Sequence, residues 1–278
     1  MRLGGAAATT WAPLLSGLAV LAVAVVALSP QPAGVFWDDG VYLVSARSLA
    51  VGEGYRFAHL PGSPPAVHFP PGWPAVLAIV WAVAPEFPAN MVWFRLLNPL
   101  FAALAAALAC AYGIRTMGLH PAVAGLASSA FALMLPVLVL AGVLFAEPLF
   151  LCALIGALFL ADRAVRRGGW RDALVAGVAV GVVALVRSTG LVLLPALVCA
   201  LLLARRRREA LVAVVSAVAV LAPWQFWSAA HAPELAEPLR GSYGPYLAWF
   251  VEAVRERGAP FVAAIARQNV TAFERTLA

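Results

Sequence analysis

Lysine is absent: all 19 basic residues are arginine. Charge of either sign is scarce, at 12% of residues against 63% hydrophobic, and the mean hydropathy is +0.91. These values exclude an ordinary soluble domain, in which about a quarter of residues are charged, and identify a polytopic membrane protein. Cysteine is nearly absent too. Cys110, Cys152 and Cys199 all lie inside apolar runs, which excludes a disulfide framework or a cysteine metal site and makes small core residues the expectation. Internal repeats and low-complexity tracts are missing beyond an Ala/Val/Leu bias. A net charge of +6 and a pI near 9.9 would point to nucleic acid in a soluble chain. Here the arginines cluster between apolar runs, as at cytoplasmic loop ends, so membrane lipids and no nucleic acid are the expected contacts.

What is present divides the chain into four parts: a first transmembrane helix (1–29), a loop with interfacial helices (30–91), a transmembrane bundle (92–224) and a C-terminal tail (225–278). Trp11 to Leu28 is an uncharged apolar run long enough to cross a bilayer. A retained helix is favoured over a cleaved signal peptide, because Pro30 to Gly34 is a poor cleavage site. Gly40 to Val51 reads as a short interfacial helix ended by Gly52 and Gly54, with Tyr42, Ala46 and Leu49 on one side and Arg47 turned away. Trp73 to Ala84, at about a dozen residues, is too short to span and reads as a second interfacial or re-entrant helix.

Further spans are expected at Val92–Ile114, Ala122–Val143 (broken at Pro136), Pro148–Ala164, Ala173–Val186, Leu191–Ala204 and Ala210–Trp224. With the N-terminus inside, about seven spans put Arg115, the Arg163–Arg171 group and Arg205–Arg208 on one face, as the positive-inside rule requires. The expected fold is therefore all-α and polytopic. In the tail, Trp249 to Arg257 could form a surface helix, and Phe261 to Ala266 is too short to span.

The same count gathers the remaining polar residues at the outer face. Asp38 and Asp39 directly follow the first span, and adjacent carboxylates in so apolar a chain need a solvating environment or a task. One of them could cap the helix starting near Gly40, but one cap needs only one carboxylate. Glu147 interrupts an apolar run before Pro148; it could be a first-turn acid favoured by the helix dipole or a cavity group with a partner. Arg187 could snorkel to headgroups, pair with Glu147 or hold a phosphate. His59 and His68 lack the spacing of metal ligands.

Asp38-Asp39-Gly40-Val41-Tyr42, then Gly52-Glu53-Gly54-Tyr55, His68-Phe69-Pro70-Pro71-Gly72 and Ala146-Glu147-Pro148 together resemble the GT-C glycosyltransferases that use polyprenyl-phosphate sugars. In style they are nearest the protein O-mannosyltransferases and lipid A aminoarabinose transferases. The resemblance covers the layout from Trp11 to Trp224, and only the first loop is motif-specific. It implies a GT-C-like helical bundle in the plasma membrane and an extracytoplasmic active site. Its partners would be a polyprenyl-phosphate-sugar donor and a protein, lipid or glycan acceptor. Asp38 matches the proposed general base and Asp39 the second acid; Tyr42, Arg56, His68, Arg95, Glu147 and Arg187 are the expected substrate-binding residues. His68 stands where the family often has Tyr. Members commonly have further spans and an outer C-terminal domain, so a short member, a truncated one and a partner-dependent one are all open readings.

The expected chemistry is a single inverting displacement, with no cofactor assigned. A divalent cation, magnesium or manganese, on the Asp pair is the open alternative. The rival class is a transporter or lipid flippase using the same acids as ion sites, against which stand the scarcity of mid-membrane charge and the lack of an inverted repeat. A non-catalytic membrane scaffold is the third reading.

Overall fold

A computed structural model describes residues 3–28 and 33–277. The boundary at residues 29–30 and the start of the stretch weighed as a cleavage site lie outside the described residues, as does Ala278.

Twelve α-helices form among the described residues, with no named strand. The helices are α1 (Leu3–Val26), α2 (Asp38–Ala50), α3 (Gly72–Val83), α4 (Met91–Arg115), α5 (Pro121–Ala132) and α6 (Leu135–Gly142), followed by α7 (Glu147–Arg167), α8 (Trp170–Val186), α9 (Leu193–Leu203), α10 (Arg207–Ala230), α11 (Glu237–Tyr243) and α12 (Tyr246–Leu277). Four of them carry stretches long and apolar enough to cross a membrane: Ala8–Val26, Met91–Arg115, Glu147–Arg167 and Arg207–Ala230. A fifth is added if α5 and α6, bent by 62°, count as one broken span. That break falls just ahead of Pro136, whose ring lacks an N–H to continue the ladder and disfavours a helical residue before it. The expected count of about seven also includes α8, of 17 residues, and the run Ser188–Leu203; both are shorter than a typical span of about 20 residues.

Small residues set the packing. On α8, a Cβ on Gly177 would collide with Ser216 Oγ and the Ala213 carbonyl, and one on Gly181 would lie 2.7 Å from Val220 Cβ of α10. The two backbones therefore approach as closely as in small-xxx-small membrane pairs. Ala176, Val180, Leu197, Leu201 and Ala213 close a core between α8, α9 and α10.

The two ends of the bundle differ in chemistry. At one end Arg163 pairs with Asp172 at 2.8 Å and Arg166 with Asp162 at 2.8 Å. Arg166 and Arg206 also donate to the carbonyls of Thr116 and Arg166. Arg206 therefore helps tie this end together, beyond the topological and lipid-facing part expected of its cluster. The other end carries α2, α3 and the loop around them. Helix α2 begins at Asp38 and not at Gly40, which places both acids in its first turn. Tyr42 and Ala46 are buried, while exposed Arg47 lies 6.0 Å from the Trp81 ring. Helix α3 abuts the end of α8 so closely that a Cβ on Gly72 would come within 2.6 Å of the Leu185 carbonyl oxygen.

One more expectation changes, and one element runs further than expected. Cys199 is exposed on α9, whereas Cys110 and Cys152 are buried, so only two of the cysteines are core residues. The tail forms α12, a pair of helices meeting at Gly258 (φ 67°). Across that kink the Trp249 and Phe261 rings stand 6.4 Å apart and Arg257 covers Phe261.

Candidate active site

Four chain segments bring five polar side chains together at the end opposite the arginine clusters. Asp38 starts α2, Glu147 starts α7, Arg187 caps the C-terminus of α8, His68 precedes α3, and Tyr42 lies one turn beyond Asp38. Arg187 donates to Glu147 Oε1 in an ion pair. The other Glu147 oxygen, Oε2, is buried and takes no hydrogen bond. Asp38 is half-buried and feels four charged groups among the described residues: Arg187, Glu147, His68 and Asp39. Burial is the largest influence and lifts its carboxyl above the ordinary 3.8; Arg187 and His68 pull it down, while Glu147 and Asp39 push it up. Burial, reinforced by the Asp38 charge, likewise raises the Tyr42 hydroxyl, so it stays protonated.

The two adjacent acids have separate jobs. Asp39 is only 3% exposed. Its Oδ2 accepts from the Gly34 amide at 2.7 Å and its Oδ1 from the Phe36 amide at 3.2 Å. It thus caps the turn before the helix, leaving Asp38 as the carboxylate without such a structural bond. Among the described residues no group of three or more His, Cys, Asp or Glu side chains converges as metal ligands.

Arg56 and Arg95 lie outside this cluster, and His68 within it has a backbone partner of its own. Arg56 is exposed and donates to the carbonyls of Glu53 and Ser63, both at 3.0 Å, tying up its own loop. Arg95 is in the second turn of α4 and is not among the charges acting on Asp38. His68 uses Nδ1–H to donate to the Gly244 carbonyl at 2.8 Å.

Behind the polar cluster lies an apolar wall that includes Tyr42, Trp73, Leu77, Phe94, Leu144 and Val186. Within it the Trp73 indole donates to the Leu144 carbonyl at 3.1 Å. The sequence reading overlooked Asn98, which is 1% exposed on α4. Its amide donates to the carbonyls of Val143 and Phe145, the latter at 2.9 Å, fixing the turn that delivers Glu147. The available signal was a lone amide inside an apolar helix, where a buried polar group needs partners. Tyr243 of α11 was overlooked as well: its hydroxyl accepts from the Trp37 indole N–H at 3.1 Å.

A carboxylate held above its ordinary pKa, next to a guanidinium already oriented by a second carboxylate, is suited to taking a proton from a hydroxyl while an anion departs. In a comparison with known protein families, the model described as dolichyl-phosphate-mannose-protein mannosyltransferase covers residues 69–227, more than half of the chain. Glu147, Arg187 and Asn98 fall within it; Asp38, Asp39 and His68 precede it. No curated protein and no solved structure matches.

Proposed function

The chain belongs to the dolichyl-phosphate-mannose-protein mannosyltransferase family, and from that premise we propose that it transfers a sugar from a polyprenyl-phosphate donor to an acceptor hydroxyl, with Asp38 as general base. Membership itself carries the coarser statement, that the chain is a membrane glycosyltransferase drawing on a polyprenyl-phosphate sugar. It also favours transfer over the transport reading.

The observation that carries the finer proposal is that Asp38, Glu147 and Arg187 converge from three helices although they are far apart in sequence. In the proposed step the acceptor O–H gives its proton to Asp38, and its oxygen attacks the anomeric carbon. The bond from that carbon to the phosphate oxygen breaks on the opposite side, inverting the centre. The lipid phosphate leaves with the bonding pair, and Arg187 receives its charge. Asp39 keeps Asp38 aimed, and Tyr42 and His68 line the path of the sugar. Arg56 and Arg95 are second contacts for the lipid phosphate or acceptor outside this cluster.

The site end faces the extracytoplasmic side of the plasma membrane, because the arginine-rich end belongs in the cytoplasm. Helix α8, at 17 residues, is only about 25 Å long, against a hydrocarbon core of about 30 Å. Arg187 at its end therefore lies at a depth that a lipid-borne phosphate reaches.

The test is transfer of radiolabelled mannose from polyprenyl-phosphate mannose in membranes carrying the chain. Asp38→Asn is expected to abolish transfer, and Asp39→Asn to reduce it together with the amount of folded protein. Full transfer by Asp38→Asn at normal protein levels would remove Asp38 as base.

A further inference from the structure

The backbone that presents Asp38 is strained. Trp37 has φ 66° and ψ −61°, and the Asp38 amide donates to the Phe36 carbonyl at 2.8 Å. Together these make a γ-turn of the positive-φ hand, rare for any residue with a side chain. Such a conformation is unfavourable and persists only where its surroundings over-determine it.

Two sets of contacts do so here. From within the loop, Asp39 holds the amides of Gly34 and Phe36. From outside, α11 grips the Trp37 side chain. The indole N–H can only donate, so the Tyr243 oxygen accepts at 3.1 Å and its O–H is left to donate to His59 Nε2 at 3.2 Å. Burial holds His59 below its ordinary 6.5, so a neutral ring is at hand to accept. The Tyr243 ring meets Trp37 edge-on at 5.3 Å and Phe57 at 4.9 Å. The next residue, Gly244, accepts from His68, which also faces Asp38. One short helix thus holds both the residue before the base and a residue facing it, and it lies beyond the part of the chain the family model matches.

We propose that Tyr243 is a positioning residue for Asp38: its hydroxyl keeps the Trp37 turn in the conformation that aims the carboxylate. This rests on Asp38 being the base.

The experiment compares wild type, Tyr243→Phe, Trp37→Phe, the double variant and Asp38→Asn as purified full-length chains, with rates normalised to folded protein. Mannose transfer from polyprenyl-phosphate mannose is measured as a function of donor concentration. Tyr243→Phe keeps the ring contacts and removes only the hydroxyl. Each single variant is expected to lose about tenfold in rate at saturating donor, as a misaimed reacting group does, with the donor KM unchanged. The double variant is expected to be no slower than the slower single one, because both break the same link. Should Tyr243→Phe fail to fold, the rate and KM of Trp37→Phe carry the test. A full rate in the singles, a rise in KM alone, or additive losses would overturn the proposal while an inactive Asp38→Asn left the base in place. An active Asp38→Asn would instead overturn the base and this inference with it.

Discussion

Asp38 and Asp39 are adjacent and chemically identical in the sequence, yet their surroundings divide the work between them. Asp39 spends both oxygens on backbone amides, whereas Asp38 sits among Arg187, Glu147 and His68. This balance makes a signed prediction for the pH dependence of transfer. If Asp38 is the base, as proposed, it works when ionised, so the rate rises with pH through its pKa, which burial places above 3.8. Arg187→Gln removes a charge that lowers that pKa; the acid limb should move to higher pH, and the rate should fall by about 10²–10³ with the loss of a group that receives the leaving charge. Glu147→Gln removes a charge that raises it, so the acid limb should move to lower pH. Rate–pH profiles at saturating donor check both signs, and limbs that stay fixed would remove these residues from the electrostatics of Asp38. The acids, His68, Glu147 and Arg187 were all visible in the sequence, because an ionisable residue stands out in an apolar chain. Tyr243 was not, and Asn98 showed only as a lone amide in an apolar helix: their importance lies in which indole or carbonyl they meet, and no local pattern encodes a partner about 206 or 45 positions away.

At the scale of elements, hydropathy marked the four helices whose apolar stretches are long enough to cross a bilayer. It was less informative where tertiary contacts decide the outcome. The start of α2 at Asp38 follows from the turn that Asp39 caps, and the bend between α5 and α6 follows from Pro136. The α8–α10 seam depends on glycine for space, which suggests a comparison within one substitution type. Gly177→Val and Gly181→Val each force a side chain into the facing helix, and overpacking of this kind costs about 1–3 kcal/mol. Gly156→Val on α7 adds a Cβ that meets nothing within 4 Å, so it carries the change in helix propensity without the clash. Thermal unfolding in detergent should show clearly lower midpoints for the two α8 variants and little change for Gly156→Val. Equal shifts in all three would show that propensity, and not the seam, sets the effect.

For the molecule as a whole, the number of helices that cross the membrane decides which charges share the site's face. Residue length alone counts four spans, or five with the bent pair. Charge counts differently: Arg171 in the first turn of α8 and Arg205–Arg208 after α9 share an end, while Arg187 between them pairs with Glu147 at the other. Both arrangements hold only if α8 and the Ser188–Leu203 run each traverse the bundle despite their length. A bilayer accommodates a short span by local thinning, at modest cost per Å, and thinning at this sector would bring lipid phosphates toward Arg187. Single cysteines placed on a background with Cys110, Cys152 and Cys199 replaced by Ala distinguish the two counts. Glu53→Cys and Thr189→Cys, both at exposed positions, should react with a membrane-impermeant maleimide in intact cells. Arg171→Cys and Arg208→Cys, also at exposed positions, should react only after permeabilisation. If Thr189→Cys required permeabilisation like Arg171→Cys, α8 would not cross, and Arg187 could not share a membrane face with an extracytoplasmic Asp38.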